Sequence, residues 1–466
     1  MSKRLIIILA LAFVVGIAFT AYAEVQNVKV SGDLTVYGIN RMLDLRGNKD
    51  DRADKSMASI VRVKIDADLT DNVMATVRLL NERYWGREDT DNLTAGATNS
   101  DISLDLAYVT LKEFLYSPLT LTIGRQELHF GNDMIVGDYD TNNNVTTASA
   151  FGGATNRDKD LSARKAFDAI RLTLDYDPLV IDAIAAKVKE RTLTISDDED
   201  LYGINANYKL ADMKYMKNTT VEGYWFEKRT GRRQSVATVV AKKVDRVDTV
   251  GGRIVTQPIE NLTGSLEAAY QFGKNANIGT TATTNTETLE RHAWALEAFL
   301  TYDFKKLKYT PSLTAAFAHF SGDHATGSTS NVDNTRAWDP MYENQKMGDI
   351  ANALFGQTNA NIVGGIVKSK TPLEDISVKG EYYAFWWDKA YPEGYTIPAT
   401  ARNTAADLVM TGRKFAGQEV DLTATYDYTE DVQFALMGGL FIPGSSFAKG
   451  NNSTATEVIG SMKVTF

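Results

Sequence analysis

Apolar and polar residues alternate with a period of two along most of this 466-residue chain, and helix-period segments are nearly absent. In Ser59–Leu69 the residues Val61, Val63, Ile65, Ala67 and Leu69 share one face, opposite Arg62, Lys64, Asp66 and Asp68. Glu419–Tyr428 repeats the pattern, with Val420, Leu422, Ala424 and Tyr426 opposite Glu419, Asp421, Thr423 and Thr425. A soluble sandwich would alternate in the same way, so the connections have to discriminate. They alternate in length. Short turns lie at 69–72, 116–119, 176–179, 258–262, 304–308, 372–375 and 428–431, with a slightly longer one near 210–218. Long segments rich in Gly, Asn, Asp, Ser and Thr lie at 44–55, 86–100, 129–165, 191–200, 231–245, 275–290, 323–357, 391–413 and 445–454. Together they separate about 18 strands. A strand with its connection takes ~25 residues, room for the ~9–11 residues of a tilted membrane-crossing strand. Tight turns at one end and long loops at the other are the build of an outer-membrane barrel. The expectation is an all-β protein: a single transmembrane antiparallel β-barrel of about 18 strands, with short periplasmic turns and long extracellular loops.

The first residues read differently. MSKR is a short basic start, Leu5–Phe19 an apolar run and Ala21-Tyr22-Ala23 a small-x-small cleavage signal. Residues 1–23 are therefore expected to be an export signal peptide, and residues 24–466 the mature barrel. No later segment approaches the ~18 consecutive apolar residues of a spanning helix. A formal charge of −9 argues against a nucleic-acid partner, and the absence of cysteine removes disulfides and thiolate metal sites. Aromatics gather at the ends of apolar stretches, at Tyr84–Trp85, Tyr224–Phe226, Tyr382–Trp387 and Tyr426/Tyr428, where an interfacial girdle would sit. The last strand ends on Phe466, a terminal signature of the kind read by barrel assembly. A closed barrel of this size has no edges and encloses an aqueous lumen, so a channel is the default product.

Residues 121–132, LTIGRQELHFGN, pose a problem for that wall. Strict alternation from Leu119, Leu121 and Ile123 would point Arg125 and Glu127 at lipid, where a midplane arginine costs roughly 2–4 kcal/mol. Two escapes exist: a β-bulge at Gly124 that turns Arg125 inward, or a strand that has already reached the outer rim. The bulge is the expected one. It places Arg125 and Glu127 in the lumen beside the long 129–165 loop, which is expected to fold into the pore, with Arg125, Arg164 and Arg171 framing a constriction. Period two turns Arg62, Lys64, Arg78, Arg171 and Lys379 inward as well, against Asp33, Asp66, Asp68, Asp105, Asp175, Glu267, Glu297, Glu381, Glu419 and Asp421. Mixed charge of this kind suits any wet lumen. No catalytic group, cofactor or metal is expected. The four histidines, His129, His292, His319 and His324, form no metal-ligand spacing, and no GxSxG occurs. An outer-membrane enzyme would need an outward Ser–His pair near one rim.

Several stretches resemble the alginate export family of outer-membrane barrels. GRQEL at 124–128 and RKAFDAIRL at 164–172 are similar to family segments, with Ala169 where glycine is usual. HFSGDH at 319–324 with WDPMY at 338–342, and residues 417–444, resemble further ones in the same order. The resemblance implies an 18-stranded barrel that passes an anionic polysaccharide or oligosaccharide passively across the outer membrane. A general diffusion porin for small polar solutes is the alternative reading. The setting implies outer-membrane lipid and lipopolysaccharide, periplasmic chaperones and the barrel-assembly machinery as partners, with a polysaccharide export complex as a further one.

Overall fold

A computed structural model describes residues 27–46, 54–86, 102–139, 158–190, 198–231, 244–276, 288–323, 334–397 and 408–466. The expected signal peptide lies outside the described residues. The wall strands are β1 (Asn27–Met42), β2 (Asp54–Thr70), β3 (Val73–Tyr84), β4 (Ser103–Leu111), β5 (Leu119–Gln126) and β6 (Phe167–Asp175). They continue as β7 (Leu179–Lys189), β8 (Glu199–Lys209), β9 (Lys217–Thr230), β10 (Asp245–Ile259), β11 (Leu262–Ala276) and β12 (Ala293–Asp303). The last six are β13 (Ser312–Phe320), β14 (Ala360–Lys370), β15 (Ile376–Trp387), β16 (Phe415–Asp427), β17 (Val432–Pro443) and β18 (Ala455–Thr465). Each pairs antiparallel with its neighbours, and β1 closes on β18 from Asp33↔Thr465 to Met42↔Thr456, which makes an 18-strand closed barrel. The short and long connections fall where the alternation puts them.

The alternation sorts residues as expected. Outward positions such as Val30, Ile65, Ile170, Ile204, Leu300, Val363 and Leu436 are exposed, as an apolar belt against lipid must be. Tyr270, Trp294, Tyr382 and Trp386 ring the belt towards the long loops, and Tyr208, Tyr302, Tyr426 and Phe434 towards the short turns. The clusters of consecutive aromatics are split by the pleat, whereas Tyr426 and Tyr428, two apart, are both exposed. Trp225, Tyr382 and Trp386 face out, while Tyr224, Phe226, Tyr383, Phe385 and Trp387 are buried inside.

The lumen is not simply aqueous. Residues 127–139 and 158–166 run inward from the long loop after β5, whose centre, 140–157, lies outside the described residues. A second inward segment, 336–359, carries the helix α1 (Asp349–Phe355). Leu128, Phe130, Met134, Ile135 and Val136 from the first meet Trp338, Met341, Tyr342, Met347 and Leu354 from the second in one buried cluster. The wall makes room with small side chains: Ala269, Ala293, Ala295, Ala316, Ala318 and Ala360 face this cluster from β11 to β14. Backbone bonds stitch the segments together, with Gly137 N donating to Tyr342 O at 2.8 Å and Tyr342 N to Ile135 O at 3.0 Å.

Candidate functional site: a charged lumen narrowed by two inward segments

The expected bulge at Gly124 is absent. β5 keeps an unbroken register with β6, from Leu119↔Leu174 to Gln126↔Phe167. Gly124 has φ 125°, and a Cβ there would lie 2.1 Å from the Ala107 carbonyl oxygen, so glycine serves the close approach of β4. Arg125 therefore stays on the side of Leu121 and Ile123, one residue from the strand end, in register with Asp168 and bonded to it at 3.0 Å. This rim position is the second of the two escapes. The bulge sits one strand pair away, where Arg78 faces Leu106 but Leu79 faces Leu104, leaving Asp105 as the extra residue. Its carboxylate accepts from Arg78 Nε at 2.5 Å, and Arg78 Nη2 also donates to Glu127, which has turned inward just past the end of β5.

The other expected lumen cations face inward, and each has a carboxylate. Arg62 Nε donates to Asp33 at 2.8 Å across β1 and β2, and Lys64 Nζ lies 2.9 Å from Asp66 two residues further along β2. Arg171 Nε donates to Asp182 at 2.8 Å, and its guanidinium lies 5.6 Å over the Phe130 ring of the first inward segment. Arg164 Nε reaches Glu82 at 3.3 Å, and Lys379 pairs with Glu381 on β15. Arg62, Lys64, Arg171 and Lys379 remain partly exposed, between 25 and 38 %. The structure thus brings Arg171 against the inward loop and ties the loop's own Arg164 to the wall at Glu82, while the Arg125 guanidinium lies 5.8 Å over the ring of Tyr139 on the loop.

Sequence reasoning missed what holds the inward segments. Wall carboxylates accept from their backbone N–H groups. Gly131 N donates to Glu222 and Asn132 N to Glu267, both at 2.8 Å, while Gln345 Nε2 donates to Glu297 at 2.7 Å. Ile350 N and Ala351 N at the start of α1 each donate to Glu419 at 2.7 Å. Beside Glu419, Arg41, fully buried, holds Asp158 at 3.2 Å, Asp160 at 2.7 Å and Glu457 at 2.9 Å. Lys346 joins the two segments through Asp160 and Asp349, both at 3.3 Å; burial opposes its charge, but those carboxylates hold the ammonium well above its ordinary range. The second segment had a readable signal. WDPMYENQKMGDIANALF, like HFGNDMIVGDY of the first segment, carries more large apolar side chains than a hydrated loop needs.

No serine bonds to a histidine among the described residues. His319 points outward under the Trp294 ring, 3.9 Å between centroids, and its Nδ1 pairs with Asn361 at 2.7 Å. What the arrangement offers is paired charge along a narrowed passage.

A closed 18-strand barrel with an apolar belt, two girdles and such a lumen is an outer-membrane channel. The chain belongs to the alginate export family, whose model matches residues 37–461. No curated protein matches it in sequence. Among solved structures it is similar to Pseudomonas aeruginosa OccK3 (OpdO), with TM-score 0.55 and 12 % identity over 95 % of this chain and 96 % of that one. OccK2 (OpdF) in complex with glucuronate gives 0.54 and 10 % over 95 % and 99 %, and OpdK with vanillate 0.53 and 9 % over 95 % and 100 %.

Proposed function

We infer that the channel passes an anionic polysaccharide or oligosaccharide passively, as its family membership suggests. The observation that carries this reading is the partly exposed set Arg62, Lys64 and Arg171, each held by a single wall carboxylate that a passing uronate can replace. Two of the similar barrels were solved with carboxylate-bearing solutes, which supports the same chemistry. Lipid and lipopolysaccharide around the girdles, periplasmic chaperones with the assembly machinery, and a polysaccharide export complex complete the proposed setting. One observation favours a general porin for small polar solutes instead: every one of these cations is already neutralised by the wall.

Bilayer conductance of the refolded mature protein separates the two. Anion selectivity in a salt gradient and block by added oligouronates, both weakened in Arg62→Ala/Arg171→Ala, support the polysaccharide reading. Absent block with weak or cationic selectivity sinks it in favour of the general porin.

A further inference from the structure

Where β16, β17 and β18 run side by side behind α1, three buried carboxylates face one another. Ligand oxygens of Glu419, Asp421 and Glu457 all lie within 4.8 Å of each other. Their hydrogen bonds are unevenly distributed. Glu419 is used on both oxygens by the α1 backbone, and Glu457 Oε2 takes the bond from Arg41 Nε at 2.9 Å. Asp421 Oδ1 and Glu457 Oε1 are buried with no partner, on side chains only 2 % exposed. These two orphan oxygens converge on one spot. A Cβ added to Gly439, which is the register partner of both residues, would lie 2.7 Å from Asp421 Oδ1 and 3.0 Å from Glu457 Oε1. The missing side chain leaves a space bounded by carboxylate oxygens.

Buried anionic oxygens without donors carry a large desolvation cost, and one guanidinium does not balance three carboxylates. An all-oxygen, all-carboxylate donor set selects hard cations, and a calcium-type ion tolerates irregular ligand geometry at 2.3–2.6 Å. We propose that Asp421, Glu457 and Glu419 form a buried divalent-cation site of calcium type, which fixes β16 and β18 to α1. Through Glu419 and the α1 backbone the ion holds the second inward segment in the lumen. The site acts on the gauge of the channel and is independent of which solute passes.

The test uses mature protein refolded in detergent without lipopolysaccharide, stripped with a chelator and titrated with Ca²⁺ by calorimetry. Losing even a second-shell partner costs a metal site roughly 10–100-fold in affinity. Wild type is expected to show one saturable site per barrel, abolished in Asp421→Asn/Glu457→Gln and in Gly439→Ala, whose methyl group occupies the gap. Wild-type thermal stability is also expected to fall on chelation and return with Ca²⁺. Wild type without saturable binding overturns the proposal, whether or not the double variant refolds. So does equal binding by Gly439→Ala. A wild type indifferent to chelation, with a double variant more stable than it, points to carboxyls sharing a proton and likewise overturns the ion.

Discussion

Arg41 Nε donates to Glu457 Oε2 at 2.9 Å across the seam where the first strand closes on the last, and both side chains are fully buried. The same guanidinium reaches Asp158 and Asp160, so the closing seam and the returning half of the first inward segment share one cation. Breaking a buried ion pair from one side leaves uncompensated charge and costs about 3–5 kcal/mol. Arg41→Ala is expected to lower the unfolding free energy of the refolded barrel by an amount of that order, read as a lower denaturant midpoint. It also loosens Asp158–Leu161, which Tyr84 and Lys346 then hold without the guanidinium, so single-channel conductance is expected to rise. An unchanged midpoint would mean that the network at the seam does not bear on stability.

The lumen cations and the rim arginine give opposite expectations. Arg171→Ala removes a charge beside the inward loop and should shift the reversal potential towards cations. Arg125→Ala removes a pair on the outer rim, where exposed ion pairs contribute only ~0–1 kcal/mol. It should leave selectivity where it was. Equal shifts in the two variants would place Arg125 in the solute path.

The inward segments hang from wall acids by bonds to charged acceptors, each worth roughly 1.5–3 kcal/mol. Glu222→Gln/Glu267→Gln leaves weaker neutral acceptors under Gly131 and Asn132. Conductance steps are expected to become larger and noisier, with the barrel itself intact by gel mobility. A quiet trace of wild-type size would show that packing alone holds the segment.

Why so much of the fold is legible follows from the membrane. A strand with lipid on one side and water on the other must alternate, and Ser59–Leu69 or Glu419–Tyr428 cannot satisfy both solvents otherwise. The inward orientation of Arg62, Lys64, Arg78 and Arg171 comes from that parity alone. Parity alone also points Arg125 to the outer face, where it lies; a bulge at Gly124 would override it, but Gly124 serves a close approach to Ala107 and the bulge falls at Asp105. The loop anchors are less visible still. Glu222, Glu267, Glu297 and Glu419 look like ordinary lumen acids until the residues that donate to them, 48 to 135 positions away in sequence, are folded inside.

Gly124 itself separates the two explanations. Its φ of 125° is unfavourable for side chains, and a methyl group would meet the Ala107 carbonyl. Gly124→Ala is therefore expected to reduce refolding yield sharply. Gly380→Ala, at a position where a Cβ meets nothing within 4 Å, should refold as wild type does. Equal yields would deny the close approach.

His129 gives the inward loop a pH dependence. Its Nδ1 lies 3.0 Å from Asp133 on the same segment, and that hydrogen bond, partly opposed by burial, raises the imidazole above its ordinary value near 6.5. A raised folded value means that the contact is fully present below about pH 6.5 and fades as pH climbs through the folded pKa. One positive charge leaves the loop over that interval. Reversal potentials measured between pH 6 and pH 8 are expected to move towards cation selectivity as pH rises, and His129→Gln should flatten the curve. A variant that keeps the full pH response would assign it to other titrating groups of the lumen.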